Sequence, residues 1–322
     1  MLQALFTFFI FFVGLALLIF SADFLIRGAS SFAKRAGLSP LFIGLTIVAF
    51  GTSLPELVVN LFASFKGSND IAIGNILGSN IANILLILGI AAIIYPLYVK
   101  RGTIIKEIPF SLLAVAVLFV LINDALLGNG GSSILSRADG LILLAFFIIF
   151  MYYVVSISRA SDQQSEEKVK TYSNYVALGM IILGISGLVI GGNLMVDSAI
   201  TAAQFFGLSE ALIGLTVVAV GTSLPELAAS AVAVYRRHSD IAIGNIVGSN
   251  IFNIFWILGI SSLVNPLTFS FQLNSDILVV LVVTILLLLF MFVGKRNILQ
   301  RWQGATLVGC YFIYIIYLVI RG

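Results

Sequence analysis

The segment IGLTIVAFGTSLPEL, residues 43–57, organises this sequence, because it returns 170 positions later as IGLTVVAVGTSLPEL, residues 213–227. The first copy differs from the second only at positions 47 and 50. Each copy places one glutamate, Glu56 or Glu226, inside a hydrophobic run that has no other acidic or basic side chain. A carboxylate at the centre of a bilayer costs about 2.5–3.5 kcal/mol on insertion scales, so two at matching places indicate a shared polar task.

The composition is typical of a membrane protein. Hydrophobic residues make up 60% of the chain and charged residues 10%, whereas soluble domains have roughly 45–50% and 25%. Apolar runs of about 20 residues, the length of a helix that spans a bilayer, recur along the chain. We therefore expect an all-α membrane protein. The net charge of +3 is too small for a nucleic-acid-binding surface, and the lone Cys310 excludes an internal disulfide and a cysteine-based metal site.

Hydropathy predicts ten transmembrane helices. The first is interpreted as a span and not as a signal sequence, because no Lys or Arg precedes it and no small-residue cleavage site follows it. The ten lie near residues 4–26, 41–66, 71–98, 107–123, 139–158, 174–196, 210–235, 241–264, 276–294 and 302–320.

A charged segment, residues 159–173, divides these spans into two five-helix halves, residues 1–158 and 174–322. The loops after odd-numbered spans carry 14 of the 17 Lys and Arg residues. Positive charge marks the cytoplasmic side, so the 159–173 loop is expected in the cytoplasm and both termini outside the cell membrane. Since five is odd, the second half must enter the membrane upside down. Two inverted repeats are the architecture of many secondary transporters.

The repeat extends into a second helix in each half. DIAIGNILGSNIANILLILGI, residues 70–90, matches DIAIGNIVGSNIFNIFWILGI, residues 240–260, at 17 of 21 positions. The first repeat therefore covers about 41–98 and the second about 210–264. Asn75, Ser79 and Asn83 are spaced four apart and line one face of a helix, as their counterparts 170 positions later do. These residues either bind a polar ligand or hold packed helices together as hydrogen-bonding partners.

The GTSLPE segment should interrupt its helix. Pro55 lacks a backbone donor and disfavours helix at Leu54, and Gly51 weakens the preceding turn. The break would free carbonyls such as that of Ala49 at a depth where only protein or a cavity covers non-helical backbone. Those carbonyls, the nearby hydroxyls and the glutamate are hard oxygen donors, which suit Ca²⁺ or Na⁺. Alternatively, Ser53 and Glu56 form a capping box that satisfies free donors at a helix start.

Charge arithmetic narrows the ligand. Two carboxylates give −2, which one Ca²⁺ or two Na⁺ would neutralise. If the site must be neutralised by Ca²⁺ or by Na⁺ and cannot hold both at once, binding of one ion releases the other, which is a simple basis for exchange.

These paired motifs, GTSLPE with GNILGSNIAN and GNIVGSNIFN, resemble the two α-repeats of the sodium/calcium exchanger family, within the wider cation/calcium exchanger superfamily. The ten-span layout resembles its prokaryotic members. The resemblance implies a core of eight helices, in which spans 2, 3, 7 and 8 surround the ions, while spans 1 and 6 slide across it. It also implies a set of ion ligands. These are Glu56, Glu226, Thr52, Ser53, Ser79, Asn83, Thr222, Ser223, Ser249, Asn253 and the carbonyls of Ala49 and Ala219.

The sequence thus predicts an antiporter that exports Ca²⁺ in exchange for Na⁺, with no enzyme activity, cofactor or protein partner. No GxxxxGK[ST] segment for ATP is present. Some family members have Asp at the position of Asn253, so a Ca²⁺/H⁺ or K⁺-dependent exchanger remains an alternative. A passive cation channel and an intramembrane hydrolase with a carboxylate pair are more distant ones. Asp23 and Asp197, near the ends of spans 1 and 6, are interpreted either as solvated or paired helix-end residues or as gating residues.

Overall fold

The computed structural model describes residues 2–123, 133–158, 171–205 and 219–321. Within these ranges the chain forms helices joined by short turns and four two-residue strands. The helices are α1 Leu2–Ala36, α2 Pro40–Thr52, α3 Leu54–Phe65, α4 Asn69–Ile94, α5 Arg101–Ile122, α6 Arg137–Ser156, α7 Asn174–Phe205, α8 Ala219–Thr222, α9 Leu224–Tyr235, α10 Ser239–Val264, α11 Asn274–Phe290 and α12 Arg301–Arg321. Three of them contain π-helical turns, at Gly44–Val48, Asn83–Ile87 and Phe252–Leu258.

The described helices account for most of the predicted spans. Eight of them, α1, α4, α5, α6, α7, α10, α11 and α12, are long and apolar enough to cross a bilayer, and α2 with α3 forms a ninth candidate bent by 46°. The shorter apolar helix α9 occupies the end of the predicted seventh span. The beginning of that span, and most of the 159–173 loop, lie outside the described residues. The chain is therefore an all-helical, multi-pass membrane protein.

Two predicted helix ends are wrong. Helix α1 continues to Ala36 and not to residue 26, and α7 continues to Phe205 and not to residue 196. The extra turns of α1 can contain the charged Arg27, because its side chain pairs with Asp23 one turn earlier, at 2.7 Å. Such i,i+4 pairs stabilise a helix. Hydropathy counts these residues as the end of a span, although the helix itself does not stop there.

Helices α1 and α7 pack so closely that their backbones touch. A Cβ atom at Gly14 would lie 2.9 Å from the carbonyl oxygen of Gly191, and one at Gly184 would lie 2.7 Å from the backbone nitrogen of Leu25. Only hydrogen fits at these points. Glycine allows such close approach between helices in a membrane, where packing contacts take the place of a hydrophobic driving force.

The centre of the molecule is formed by α4 and α10, the second helices of the two repeats. Their most apolar windows are 78% and 94% buried, against 22–50% for the other long helices. Helix α2 lies against α10, where a Cβ atom at Gly44 would be 2.6 Å from the carbonyl oxygen of Ile241. The GNILGSNIAN and GNIVGSNIFN residues of the repeats are thus carried by the most buried helices.

Two small antiparallel strand pairs link the halves of the chain. Leu97–Tyr98 (β1) pairs with Ile298–Leu299 (β4). Ile134–Leu135 (β2) pairs with Leu267–Thr268 (β3). Each pair therefore fixes one loop from residues 2–158 beside one loop from residues 171–321.

Asp23 joins α1 to the end of α9. Its carboxylate forms ion pairs with Arg236 and Arg27. The pairing interpretation of this residue is therefore confirmed. Asp197 is exposed and has no ion pair within the described part of the chain.

Candidate cation-binding site

The first GTSLPE segment breaks its helix at Ser53, as the sequence predicts. Helix α2 ends at Thr52, Ser53 leaves helical geometry (φ −83°, ψ 6°), and α3 begins at Leu54 with Pro55 in its first turn. Proline fits there because the first helical turn has no intrahelical use for its missing donor. The break places Glu56 in the first turn of α3, where the helix dipole favours a negative charge.

The expectation that the break frees the Ala49 carbonyl is wrong. The chain stays helical up to Thr52, so the backbone nitrogen of Ser53 donates to the Ala49 oxygen at 3.0 Å. The Thr52 hydroxyl also lies 3.4 Å from that oxygen. Ala219 begins helix α8, but the surroundings of its carbonyl lie outside the described contacts.

The capping-box interpretation of Ser53 is also wrong. Its side chain makes no capping hydrogen bond. Instead the hydroxyl lies 3.1 Å from Oε1 of Glu226 and 3.1 Å from Oγ of Ser249, both in the other repeat. A residue that sequence spacing assigns to local capping therefore makes a long-range contact between the two signature segments.

The contact between the two serines recurs when the two repeats are exchanged. The Ser223 hydroxyl lies 3.2 Å from that of Ser79, as Ser53 does from Ser249. The Ser79 hydroxyl donates to Oε1 of Glu56 at 3.3 Å. The two repeats thus form one hydrogen-bonded network and not two separate sites.

The threonines of GTSLPE follow the same reciprocal pattern. The Thr52 hydroxyl donates to Oδ1 of Asn245 at 3.1 Å, and the Thr222 hydroxyl to Oδ1 of Asn75 at 3.4 Å. Asn75 and Asn245 hold the other repeat's signature segment, which is the packing role that the sequence left open for them.

Four asparagines cross between the central helices. Nδ2 of Asn83 donates to Oδ1 of Asn250, and Nδ2 of Asn253 donates to Oδ1 of Asn80, both at 2.9 Å. Nδ2 of Asn80 donates to the carbonyl oxygen of Asn250 at 3.2 Å. The amide groups of Asn83 and Asn253 therefore point their nitrogens at the partner helix.

All ten side chains that the sequence nominates as ligands are buried, and hydrogen bonds or shared helices connect them. They are Thr52, Ser53, Glu56, Ser79, Asn83, Thr222, Ser223, Glu226, Ser249 and Asn253. The site is built from two carboxylates with neutral oxygens, since no cluster of three or more His, Cys, Asp or Glu side chains occurs among the described residues.

Four oxygens of this network have no hydrogen-bond partner within the described part of the chain. They are Oε2 of Glu56, Oε2 of Glu226, Oδ1 of Asn83 and Oδ1 of Asn253. Two of the four belong to carboxylates that are near enough for their charges to interact and that pair with no basic side chain in the described ranges. Buried polar atoms are normally satisfied, and buried charges are normally paired or bound to metal. These four oxygens are acceptors, as a cation requires, whereas the Asn75 amide nitrogen, which also has no partner in the described ranges, is a donor and cannot bind a cation.

Sequence reasoning missed the roles of Asn80 and Asn250. Their spacing places both one step round the helix from the polar face and assigns them no function. Their identity at the same offset of 170 was the available signal, but only the structure shows which amide each one meets.

The fold and this site define a class: a multi-pass helical membrane protein with a buried, acceptor-rich site shared by two repeats. The family model for sodium/calcium exchanger proteins matches residues 6–156 and 176–320. The chain belongs to the sodium/calcium exchanger family, whose members are cation/Ca²⁺ antiporters.

Relatives and solved structures agree with this assignment. The chain is 38% identical to inner membrane protein YrbG of Escherichia coli over 79% of this chain and 78% of the relative. It is 32% identical to sodium/calcium exchanger MaX1 of Methanosarcina acetivorans over 97% and 98%. A structure of the sodium-calcium exchanger NCX_Mj soaked with 10 mM Na⁺ superposes with a TM-score of 0.83 at 34% identity, covering 97% of this chain and 99% of that one.

Proposed function

We propose that this protein exports Ca²⁺ across the cell membrane in exchange for Na⁺, and that both ions use the shared site of Glu56 and Glu226. The four buried oxygens without partners carry the proposal. A dehydrated cation supplies what these oxygens lack, and Ca²⁺ takes about 6–8 oxygen ligands in flexible geometry. The hydroxyls of Thr52, Ser53, Ser79, Thr222, Ser223 and Ser249 complete the set of neutral donors. The Ala49 and Ala219 carbonyls belong to the set that the family resemblance implies.

The net charge of the site supports exchange of Ca²⁺ for Na⁺ and not only the binding of one of these ions. Two buried carboxylates cannot stay uncompensated, since removing the partner of a buried charge costs about 3–5 kcal/mol. One Ca²⁺ or two Na⁺ balance the charge of −2, because Asn83 and Asn253 are neutral amides. The empty site is therefore the unfavourable state, and the site changes sides most readily when loaded.

The reciprocal contacts support alternating access by two inverted halves, residues 1–158 and 174–322. When a contact between the two repeats recurs with each residue replaced by its counterpart in the other repeat, the two repeats are related by a local two-fold operation. An inverted pair can present one site to either side of the membrane. Helices α1 and α7 correspond to spans 1 and 6, which would slide across this core.

The strand pairs support ten crossings. Strand β1 lies beside β4, so an even number of crossings must separate them. Helices α5, α6, α7, α10 and α11 supply five, so the segment that ends in α9 has to supply the sixth. The same argument applies between β2 and β3, where α6, α7 and α10 supply three. With positively charged loops inside, both termini and the β2–β3 pair then lie outside the cell and the β1–β4 pair inside.

Ion-driven ⁴⁵Ca²⁺ uptake into proteoliposomes tests the proposal. Vesicles loaded with Na⁺ and diluted into Na⁺-free buffer should accumulate ⁴⁵Ca²⁺, and vesicles with Na⁺ on both sides should not. Uptake of ⁴⁵Ca²⁺ driven by a pH gradient in the absence of a Na⁺ gradient would identify a Ca²⁺/H⁺ exchanger. Uptake that requires K⁺ inside the vesicles in addition to Na⁺ would identify K⁺ co-transport. Flux that persists without an exchangeable ion inside would identify a channel. Any of these three results would overturn the proposed coupling.

A further inference from the structure

The two asparagines Asn80 and Asn250, which are not among the nominated ligands, face the amides that are. Both are buried, with 0% and 2% of their surface exposed. Each accepts a hydrogen bond through Oδ1 from an amide nitrogen of the opposite repeat, Asn80 from Asn253 and Asn250 from Asn83, at 2.9 Å.

We infer that Asn80 and Asn250 are positioning residues, which fix the amide orientation of Asn253 and Asn83 so that their Oδ1 atoms face the cation. This inference rests on the proposed function and deepens it. An asparagine amide has two faces of opposite character, an acceptor oxygen and a donor nitrogen. Turned through 180°, Asn83 or Asn253 would present an NH₂ group to the cation and repel it. The choice of face therefore decides whether each residue can be a ligand.

The neighbours of each amide leave one orientation. The nitrogen of Asn253 has two acceptors in reach, Oδ1 of Asn80 and the Ser79 hydroxyl at 3.2 Å, whereas its oxygen has no partner in the described ranges. The oxygen of Asn83 is likewise without a partner there. A flip would place two oxygens face to face and leave a donor without an acceptor.

Asn80 is itself held in place. Its nitrogen donates to the carbonyl oxygen of Asn250, so it cannot turn and offer a donor to Asn253 without losing that bond. The orientation of the amide at 253 is thus fixed through Asn80 by the backbone of α10. Groups that orient a metal ligand in this way typically change metal affinity by about 10–100-fold when they are removed.

Double-mutant cycles test the inference through Ca²⁺ binding by the purified full-length protein, measured by calorimetry. Asn80→Ala should weaken Ca²⁺ binding by roughly 10-fold in the wild-type background. It should have no further effect in an Asn253→Ala background, because the amide that it orients is then absent. The crossed combination with Asn83→Ala is the matched control, in which the two losses should add. Asn250→Ala should show the converse pattern, coupled to Asn83 and additive with Asn253.

A conservative variant separates positioning from folding. Asn80→Gln retains an acceptor oxygen for Asn253 and a donor for the Asn250 carbonyl oxygen without adding charge beside the site. It should therefore bind Ca²⁺ more tightly than Asn80→Ala does. Size-exclusion profiles of all variants monitor folding, and if Asn80→Ala does not fold, the cycle of Asn250→Ala with Asn83→Ala tests the same inference.

Three outcomes would overturn the inference. They are additive losses for Asn80 with Asn253, equal coupling in the matched and crossed pairs, and an Asn80→Gln variant that binds Ca²⁺ as weakly as a folded Asn80→Ala. In each case a wild-type protein that still binds Ca²⁺ and exchanges it for Na⁺ leaves the proposed function intact. A folded wild-type protein that binds no Ca²⁺ would overturn both.

Discussion

The hydroxyl of Ser53 lies 3.1 Å from Oε1 of Glu226, a residue 173 positions away in the other repeat. The first signature segment therefore contributes to the surroundings of the second segment's carboxylate. A substitution in one repeat should consequently change the affinity of the shared site for ions. The site is therefore suitable for mutational tests.

Replacing either site glutamate by glutamine should abolish exchange. Glu56→Gln or Glu226→Gln keeps the side-chain shape but removes half of the negative charge that balances the cation. Losing one member of a buried charge pair costs about 2–5 kcal/mol, so Na⁺-driven ⁴⁵Ca²⁺ uptake should fall by roughly 30-fold or more.

Glu107 supplies the matched control for this prediction. It is also buried, and its carboxylate accepts a hydrogen bond from the Tyr153 hydroxyl, but no hydrogen bond among the described residues joins it to the network around Glu56. Glu107→Gln should leave uptake close to wild type. Near-normal transport by a folded Glu56→Gln or Glu226→Gln protein would contradict the role of these carboxylates.

Ser53→Ala and Ser223→Ala should weaken Ca²⁺ binding to similar extents. Both hydroxyls occupy equivalent places in the reciprocal network, beside Ser249 and Ser79. Each variant removes a hydroxyl oxygen that is proposed to contact the cation, and a lost polar contact to a charged group costs about 1.5–3 kcal/mol, so calorimetry should show a loss of roughly 10–100-fold for each. Ser262→Ala is the control, because the hydrogen bond of that hydroxyl within the described ranges stays in its own helix, to the Gly259 carbonyl oxygen at 3.0 Å. A much larger loss for one of the two equivalent serines would argue against a shared site.

Gly184→Ala should destabilise the folded protein. The added Cβ atom would lie 2.7–2.8 Å from backbone atoms of Leu25, which cannot move aside as a flexible side chain could. Overpacking of this kind costs about 1–3 kcal/mol, so the melting temperature followed by size-exclusion chromatography should fall.

Gly179, on the same helix, is the control for this effect. A Cβ atom there would meet nothing within 4 Å among the described residues. Gly179→Ala should leave stability unchanged or raise it by up to about 1 kcal/mol, because alanine favours helix more than glycine does. Equal losses for both variants would indicate that close helix packing is not the cause.

Labelling should show that Lys66 and Lys295 lie on opposite sides of the membrane. Both are exposed residues in turns, and the charge bias places Lys66 outside and Lys295 inside. In a Cys310→Ser background, Lys66→Cys should react with a membrane-impermeant maleimide in intact cells. Lys295→Cys should react only after permeabilisation. Reaction of both variants in intact cells, or the opposite pattern, would contradict the proposed orientation.

The sequence predicts the helix break and nominates side chains that the structure buries together, for identifiable reasons. Proline at position 55 has a strong local effect that tertiary contacts do not override. The two carboxylates had to meet protein or ions because neither could face lipid. These are constraints that act on single residues or on short segments.

Contacts that depend on side-chain rotation could not be predicted. The hydroxyl of Ser53 has a local capping partner available in principle, and the choice of Glu226 follows only from the packing of two distant segments. The amide faces of Asn83 and Asn253 are a choice of the same kind. The end of α1 was misjudged for another reason, because hydropathy reports where the apolar run stops and not where the helix stops.

The backbone contacts between α1 and α7 have a mechanical consequence. Where Gly14 meets Gly191 and Gly184 meets Leu25, neither helix can advance along the other without driving a peptide group into its neighbour. The two therefore have to travel as one rod. Since α1 comes from the first half of the chain and α7 from the second, the sliding motion that the proposed exchange requires would move both halves together.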